Sequence, residues 1–122
     1  MHGDALQLIP KLRGVDVIFL SPPWGGPAYV DADVYDLRSL RVGNDSYCGG
    51  KRGVDGVELL RLCQGVTPSI AFYLPKNSCA DQVAAVTAPL TPRGAEARLE
   101  FEQLYLNKKY KAAVAYFGEL AA

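Results

Sequence analysis

The chain has 122 residues and a mass of 13.2 kDa, room for one domain with a modest core. Hydrophobic residues make up 49% and charged residues 21%, which excludes a disordered tail or a low-complexity chain. Thirteen Lys and Arg balance thirteen Asp and Glu, a neutrality that argues against a general electrostatic nucleic-acid binder but leaves room for a site reading a single nucleotide. No apolar run reaches the about 18 residues of a membrane span. His2-Gly3-Asp4 at the start lacks the basic-then-apolar pattern of a signal peptide. Cys48, Cys63 and Cys79 are odd in number and widely spaced, so neither a disulfide framework nor a zinc site is expected, and a reducing compartment fits. His2 is the single histidine, so a Ser-His-Asp triad or a histidine metal site would depend on a chain end, and no metal is expected.

Taken in chain order, residues 6–12 suggest a short helical turn or loop. Val15-Asp16-Val17-Ile18-Phe19-Leu20 is a short apolar run stopped by Ser21-Pro22-Pro23, which predicts a strand buried on both faces as in a parallel sheet. A short helix is expected within 33–40, and the Gly-, Asp- and Asn-rich stretch 41–56 reads as a mobile loop. Asp55 and Glu58 have capping-box spacing, with Asp55 as N-cap and Glu58 reaching back, and the helix should end near Gln64 with Gly65 beyond it. Ser69-Ile70-Ala71-Phe72-Tyr73-Leu74 predicts a second buried strand closed by Pro75. Ser78 is placed to cap a helix through Val86, and Pro89 and Pro92 bracket the next loop. From Glu96 onward polar and apolar residues alternate with period two, Asn107-Lys108-Lys109 makes a turn, and 110–117 supplies a return strand: a long antiparallel hairpin. The order predicts an α/β fold, a mostly parallel sheet with an antiparallel edge at the C-terminus. Ligands in such sheets bind beyond the carboxyl ends of the strands, where both breaker motifs fall, Ser21-Pro22-Pro23-Trp24 and Pro75-Lys76-Asn77.

The segment from Asp16 to Pro27 carries the sharpest chemical signal. An exocyclic amine on an aromatic ring is a poor nucleophile because its lone pair is delocalised. Two acceptors holding its N–H bonds favour a pyramidal nitrogen and free that pair. The Ser21 hydroxyl and the Pro22 carbonyl are candidates, with the Pro22-Pro23 pair holding the carbonyl rigid. Trp24 offers a plate for a base, worth about 1–3 kcal/mol by stacking, and about 0.5–2 kcal/mol more by cation–π attraction if the base is positively charged. The alternative is a plain strand-ending turn with a partly buried Trp.

DVIFLSPPWGGPAY (16–29), FYLPKNSCADQV (72–83) and EFEQLYLNKKYKAAVAYFGEL (100–120) together resemble the RNA cap guanine-N2 methyltransferases, the trimethylguanosine synthases. The resemblance implies a class I S-adenosylmethionine-dependent methyltransferase fold, Rossmann-like, and methyl transfer to N2 of the 7-methylguanosine cap of small nuclear and nucleolar RNAs. It implies capped RNA as partner and the nucleus as location, with no membrane. It further implies that Trp24 stacks on the cationic guanine, that Ser21, Pro22 and Pro23 face the amine, and that Asp4 accepts a hydrogen bond from the cofactor's adenine. By the same resemblance Ser21 and Pro22 would border the cofactor. Lys76 and Asn77 would lie near the cap phosphates, a point charge and a polar anchor. Tyr29 and Tyr35 would wall the pocket or serve simply as core or surface tyrosines. Lys108, Lys109 and Lys111 read as a solvated hairpin tip, with an RNA-tail contact as the alternative.

Two family features have no counterpart here: the glycine-rich turn after the first strand and the ribose-binding acid after the second. Gly25-Gly26 and Gly49-Gly50 lack the strand-turn-helix context to replace that turn. The expectation is one partial, truncated domain over 1–122, running from the turn after the third strand to the C-terminal hairpin, which alone binds cofactor weakly and does not turn over. Strand 15–20 would then show a bare edge. Rival readings are an amino-methyltransferase acting on another nucleic-acid base and a non-catalytic cap-binding remnant.

Overall fold

The structure, a computed structural model, describes residues 2–24, 26–43, 53–90 and 98–121. A four-stranded sheet has the spatial order β1 (Ile18–Leu20), β4 (Ile70–Pro75), β6 (Lys109–Phe117) and β5 (Leu99–Leu106). β1 is parallel to β4, while β6 is antiparallel to both β4 and β5, so β1, β4 and β5 share one direction and β6 alone is reversed. The α/β fold and the C-terminal hairpin are present, but the sheet is mixed: one of its three pairings is parallel and two are antiparallel. The reversed strand, however, lies inside the sheet and not at its edge, because β6 folds back between β4 and β5.

Cross-strand pairing explains the core. Phe72 lies opposite Ala115 and Leu74 opposite Ala113, so these two large side chains on β4 each meet a small one on β6. With Ile70 these residues are almost fully buried on one face. Against this core pack Leu59, Leu60 and Cys63 of α2 (Gly56–Gln64) and Val83 of α3 (Ala80–Thr87). Gly118, which follows β6, has φ +65°, and a Cβ there would run into the Pro68 carbonyl, so glycine is required at this turn.

Several expectations change. The 15–20 run forms only the three residues of β1, and its burial on both faces does not hold. β1 is an outer strand whose Ile18 and Leu20 pair with Ile70 and Phe72, while Phe19, beside Ala71, is 62% exposed. An apolar run does not distinguish a central strand from an edge strand. The expected helix in 33–40 contracts to a 3₁₀ turn, Leu37–Ser39, capped by Asp36. The ends of the 41–56 loop are zipped into a ladder of β2 (Arg41–Val42) against β3 (Val54–Asp55), and residues 44–52 lie outside the described residues. Asp55 does cap α2, its Oδ1 accepting from Glu58 N at 2.8 Å, but the Glu58 carboxylate accepts from the Arg61 guanidinium at 2.6 Å instead of reaching back. Ser78 does not cap α3. Cys79 holds the N-cap position, and the Ser78 hydroxyl is buried without a hydrogen-bond partner. Pro89 falls in a 3₁₀ turn, Ala88–Leu90, and Pro92 and Glu96 lie outside the described residues. The predicted turn is confirmed at the hairpin tip, where Asn107 and Lys108 have φ of 51° and 64°, as a two-residue turn between twisted strands demands. No described helix is long and apolar enough to cross a membrane.

Candidate functional site

Because β1 and β4 are parallel, the segments that leave their carboxyl ends emerge on the same edge of the sheet. β1 stops at Leu20, level with Phe72, while β4 continues to Pro75. Pro22 and Pro23 forbid continued pairing, and the chain turns so that Trp24 comes against the last part of β4. Its indole Nε1–H donates to the Tyr73 carbonyl at 3.2 Å. Its ring stacks on Tyr73 with centroids 5.4 Å apart and planes 25° apart. Tyr29 meets the indole edge-to-face at 5.3 Å, and Tyr35 meets Tyr29 edge-to-face at 6.4 Å. Trp24 is half-buried against the core, with the exposed Ser21 and Pro23 and the half-buried Pro22 before it.

The backbone around the indole is held by a second set of bonds. The Tyr35 hydroxyl donates to the Trp24 carbonyl at 3.1 Å. Burial pushes the Tyr35 phenol above its ordinary range, outweighing a lowering hydrogen bond with Ser39, so it remains a donor at neutral pH. The Tyr35 N–H in turn donates to the Asn77 carbonyl at 2.9 Å. The Asn77 side chain donates through Nδ2 to the carbonyls of Tyr29 at 2.8 Å and Ala32 at 3.1 Å. Next to Tyr35, the Asp36 carboxylate chelates Arg38 and accepts from Gln82 of α3 at 3.1 Å. The Arg38 hydrogen bond holds Asp36 below the usual carboxylate range. The turn bearing the aromatic cluster is thus tied to the end of β4 and to α3.

The sequence-derived candidates are brought together unevenly. Ser21, Pro22, Pro23 and Trp24 form one turn at the carboxyl edge, and Lys76, exposed, and Asn77 occupy the next turn on that edge. Both amide hydrogens of Asn77 are spent within the chain, and its buried Oδ1 has no hydrogen-bond partner. Asn77 is therefore first a clamp on the Tyr29 turn. Asp4 is half-buried and caps α1 (Ala5–Leu8), with Oδ1 accepting from Leu6 N at 2.8 Å. Tyr35 is a buried core tyrosine and Tyr29 half-buried beside the indole. Sequence reasoning missed Tyr73. Its signal was alternation: Phe72 and Leu74 face the core, so the one residue with a polar handle between them faces the other way. Among the described residues no group of three His, Cys, Asp or Glu side chains comes together.

A model of the RNA cap guanine-N2 methyltransferase family matches residues 1–120 of the chain. Among curated proteins the chain is similar to the trimethylguanosine synthase of Saccharomyces cerevisiae, 32% identical over 81 residues that make up 66% of this chain and 22% of that protein. It is also similar to the trimethylguanosine synthase of Schizosaccharomyces pombe, 29% identical over 89 residues, 70% of this chain and 33% of that protein. The chain thus matches a third or less of the length of these two relatives. With the family match covering all but the last two residues, the chain belongs to the RNA cap guanine-N2 methyltransferase family.

Proposed function

We propose that the full-length protein transfers a methyl group from S-adenosylmethionine to the exocyclic N2 of the 7-methylguanosine cap of small nuclear and nucleolar RNAs, in the nucleus. The observation that carries this reading is the fixed Trp24 indole, bonded through Nε1 to Tyr73 and set beside the Ser21-Pro22-Pro23 elbow at the carboxyl edge of the sheet. The sheet order, with a single reversed strand inserted between two of common direction, supports the class I methyltransferase architecture.

Each residue then has a task. Tyr73 backs one side of the indole, and the methylated guanine takes the opposite face, where the positive charge of the base adds to stacking. Tyr29 stands across the plate as a wall and Tyr35 keeps the Trp24 backbone in place. The Ser21 hydroxyl and Pro22 carbonyl accept the two N–H bonds of the amine, localising its lone pair. Pro23 restricts the elbow. Lys76 places a charge at the cap phosphates, and Asn77 acts as a positioning residue through the Tyr29 turn. The Asp4 carboxylate, the Ser21 hydroxyl and the Pro22 carbonyl are all oxygen acceptors, a donor-seeking set that fits the amino groups of S-adenosylmethionine as well as that of guanine. When bound, that molecule supplies an already activated, electrophilic methyl group. The chain's own work is to orient the amine in line with that methyl group and to exclude water. No strong base is required, because the methylated nitrogen is acidic enough to release its proton to water.

The test is methyl transfer by the full-length protein to capped RNA, with the product nucleoside identified after digestion. The reading expects N2-methylated 7-methylguanosine, and far less product when the cap guanine lacks its 7-methyl group. Methylation of an internal base, or binding of the cap without transfer, would replace this reading with one of its rivals.

A further inference from the structure

We propose that the tip of the β5–β6 hairpin is a binding surface for the single-stranded RNA that follows the cap. Pro75, the last residue of β4, pairs with Ala112 of β6, and Leu104 of β5 pairs with the same Ala112, so residues 105–111 of the hairpin project beyond β4 on the edge where Lys76 and the Trp24 elbow lie. At about 3.4 Å per residue, Lys109 reaches about 10 Å past that edge. At about 4.8 Å between strands, β5 lies about 10 Å to the side of β4.

The tip has its own chemistry. Residues 103–111 contain three lysines and no acid, in a chain whose overall charge is zero. Lys108, Lys109 and Lys111 are all exposed. The hairpin's register slips between Leu104, paired with Ala112, and Tyr105, paired with Tyr110, which leaves Lys111 as the extra residue of a bulge. Bulges re-aim side chains and are common beside functional sites. Tyr105 and Leu106 are 60% and 62% exposed, and the Tyr105 ring lies 5.3 Å from that of Tyr110. The acids of β5, Glu100 and Glu102, pair with Tyr116 and Val114, away from the tip. A cluster of cations carrying an exposed aromatic is the composition that binds single strands, charges on phosphates and rings under bases. Lys76, which follows β4, adds a further exposed cation on the same edge of the sheet. The proposal uses the cap reading only to say which end of the RNA arrives first.

The experiment measures binding of the full-length protein to a ten-nucleotide single-stranded RNA, capped or uncapped, and to 7-methylguanosine diphosphate. The variant combines Lys108→Asn, Lys109→Gln and Lys111→Gln, with Asn chosen because position 108 has positive φ. Both RNAs should bind roughly tenfold more weakly, and the salt slope should fall by about 2, from about 0.7 per lost phosphate contact. Affinity for the diphosphate should hold. Tyr105→Ser alone should weaken RNA binding with the salt slope kept, since stacking releases no counterions. RNA affinity equal to that of the unaltered protein would overturn the proposal and leave the tip to a protein partner. So would a parallel loss for the diphosphate, or an unaltered protein that binds neither RNA. If the tip lysines govern RNA binding but the 7-methyl cap confers no preference, this proposal stands and the cap reading falls.

Discussion

Replacing Asn77 separates the two roles open to it, a phosphate anchor or a clamp. Its Nδ2 makes two bonds, a part-buried one to the Tyr29 carbonyl at 2.8 Å and an exposed one to the Ala32 carbonyl at 3.1 Å. Counting about 1 kcal/mol for the first and about 0.5 kcal/mol for the second, Asn77→Ala should destabilise the chain by about 1–2 kcal/mol. With an unfolding entropy of about 2.1 cal/mol/K per residue over a chain of this length, that is a fall in Tm of about 4–8 °C. Asn77→Asp should be worse at neutral pH, since a carboxylate would face two carbonyls. Those carbonyls raise the folded pKa of the new carboxyl above its unfolded value. Its protonated form can donate one bond, so stability is recovered at low pH and lost as pH rises through that raised pKa. Thermal melts at pH 4 and pH 7 read this directly. Titration with 7-methylguanosine and with its diphosphate supplies the second arm. A clamp that positions Tyr29 beside Trp24 predicts that Asn77→Ala weakens both ligands by the same factor. Loss confined to the diphosphate, with an unchanged Tm, would refute the clamp and restore the phosphate role.

Trp24→Ala should cost the cap about 1–3 kcal/mol of stacking, roughly 5- to 150-fold in affinity, with S-adenosylmethionine binding kept; calorimetry with each ligand checks both halves. Asp55→Ala removes the cap of α2 and should destabilise by about 1 kcal/mol, whereas Asp55→Asn should be nearly neutral in a urea titration. Burial pushes the Cys63 thiol up to about 11 from 9.0, so the folded chain holds a proton that the unfolded chain loses first. Stability should therefore fall as pH rises from 9 towards 11, and Cys63→Ser should flatten that part of the profile. The same thiol should resist alkylation at pH 8 until urea is added.

The parts legible in the sequence were those written in local chemistry. The Asp55 cap, the β4 run closed by Pro75, and the Asn107-Lys108 turn each depend on residues within a few positions of one another. What escaped depends on distant partners. The bare edge of β1 was expected, but the exposure of its face was not: that is decided by what packs over it, and Phe19 looks the same in sequence whether covered or not. The insertion of β6 between β4 and β5 follows from the small Ala113 and Ala115 fitting against Phe72 and Leu74, a match across some 40 residues. At the site, the Ser21–Trp24 elbow could be read as a chemical motif, but its anchor Tyr73 lies 49 residues away and reads simply as part of a buried strand. Asn77 looked like a ligand residue because it follows a strand end. Its two backbone acceptors, 45 and 48 residues upstream, add a clamp role that no local pattern shows.

Trp24 is the single tryptophan of these 122 residues, and its emission reports on the elbow. The most direct measurement is the Trp24 emission during titration of the full-length protein with 7-methylguanosine diphosphate, read as the difference between the protein and its Trp24→Phe variant. Saturable quenching that is much weaker with guanosine diphosphate is the expected result. Binding of the methylated nucleotide, seen by calorimetry, with no change in the emission assigned to Trp24 would contradict the account.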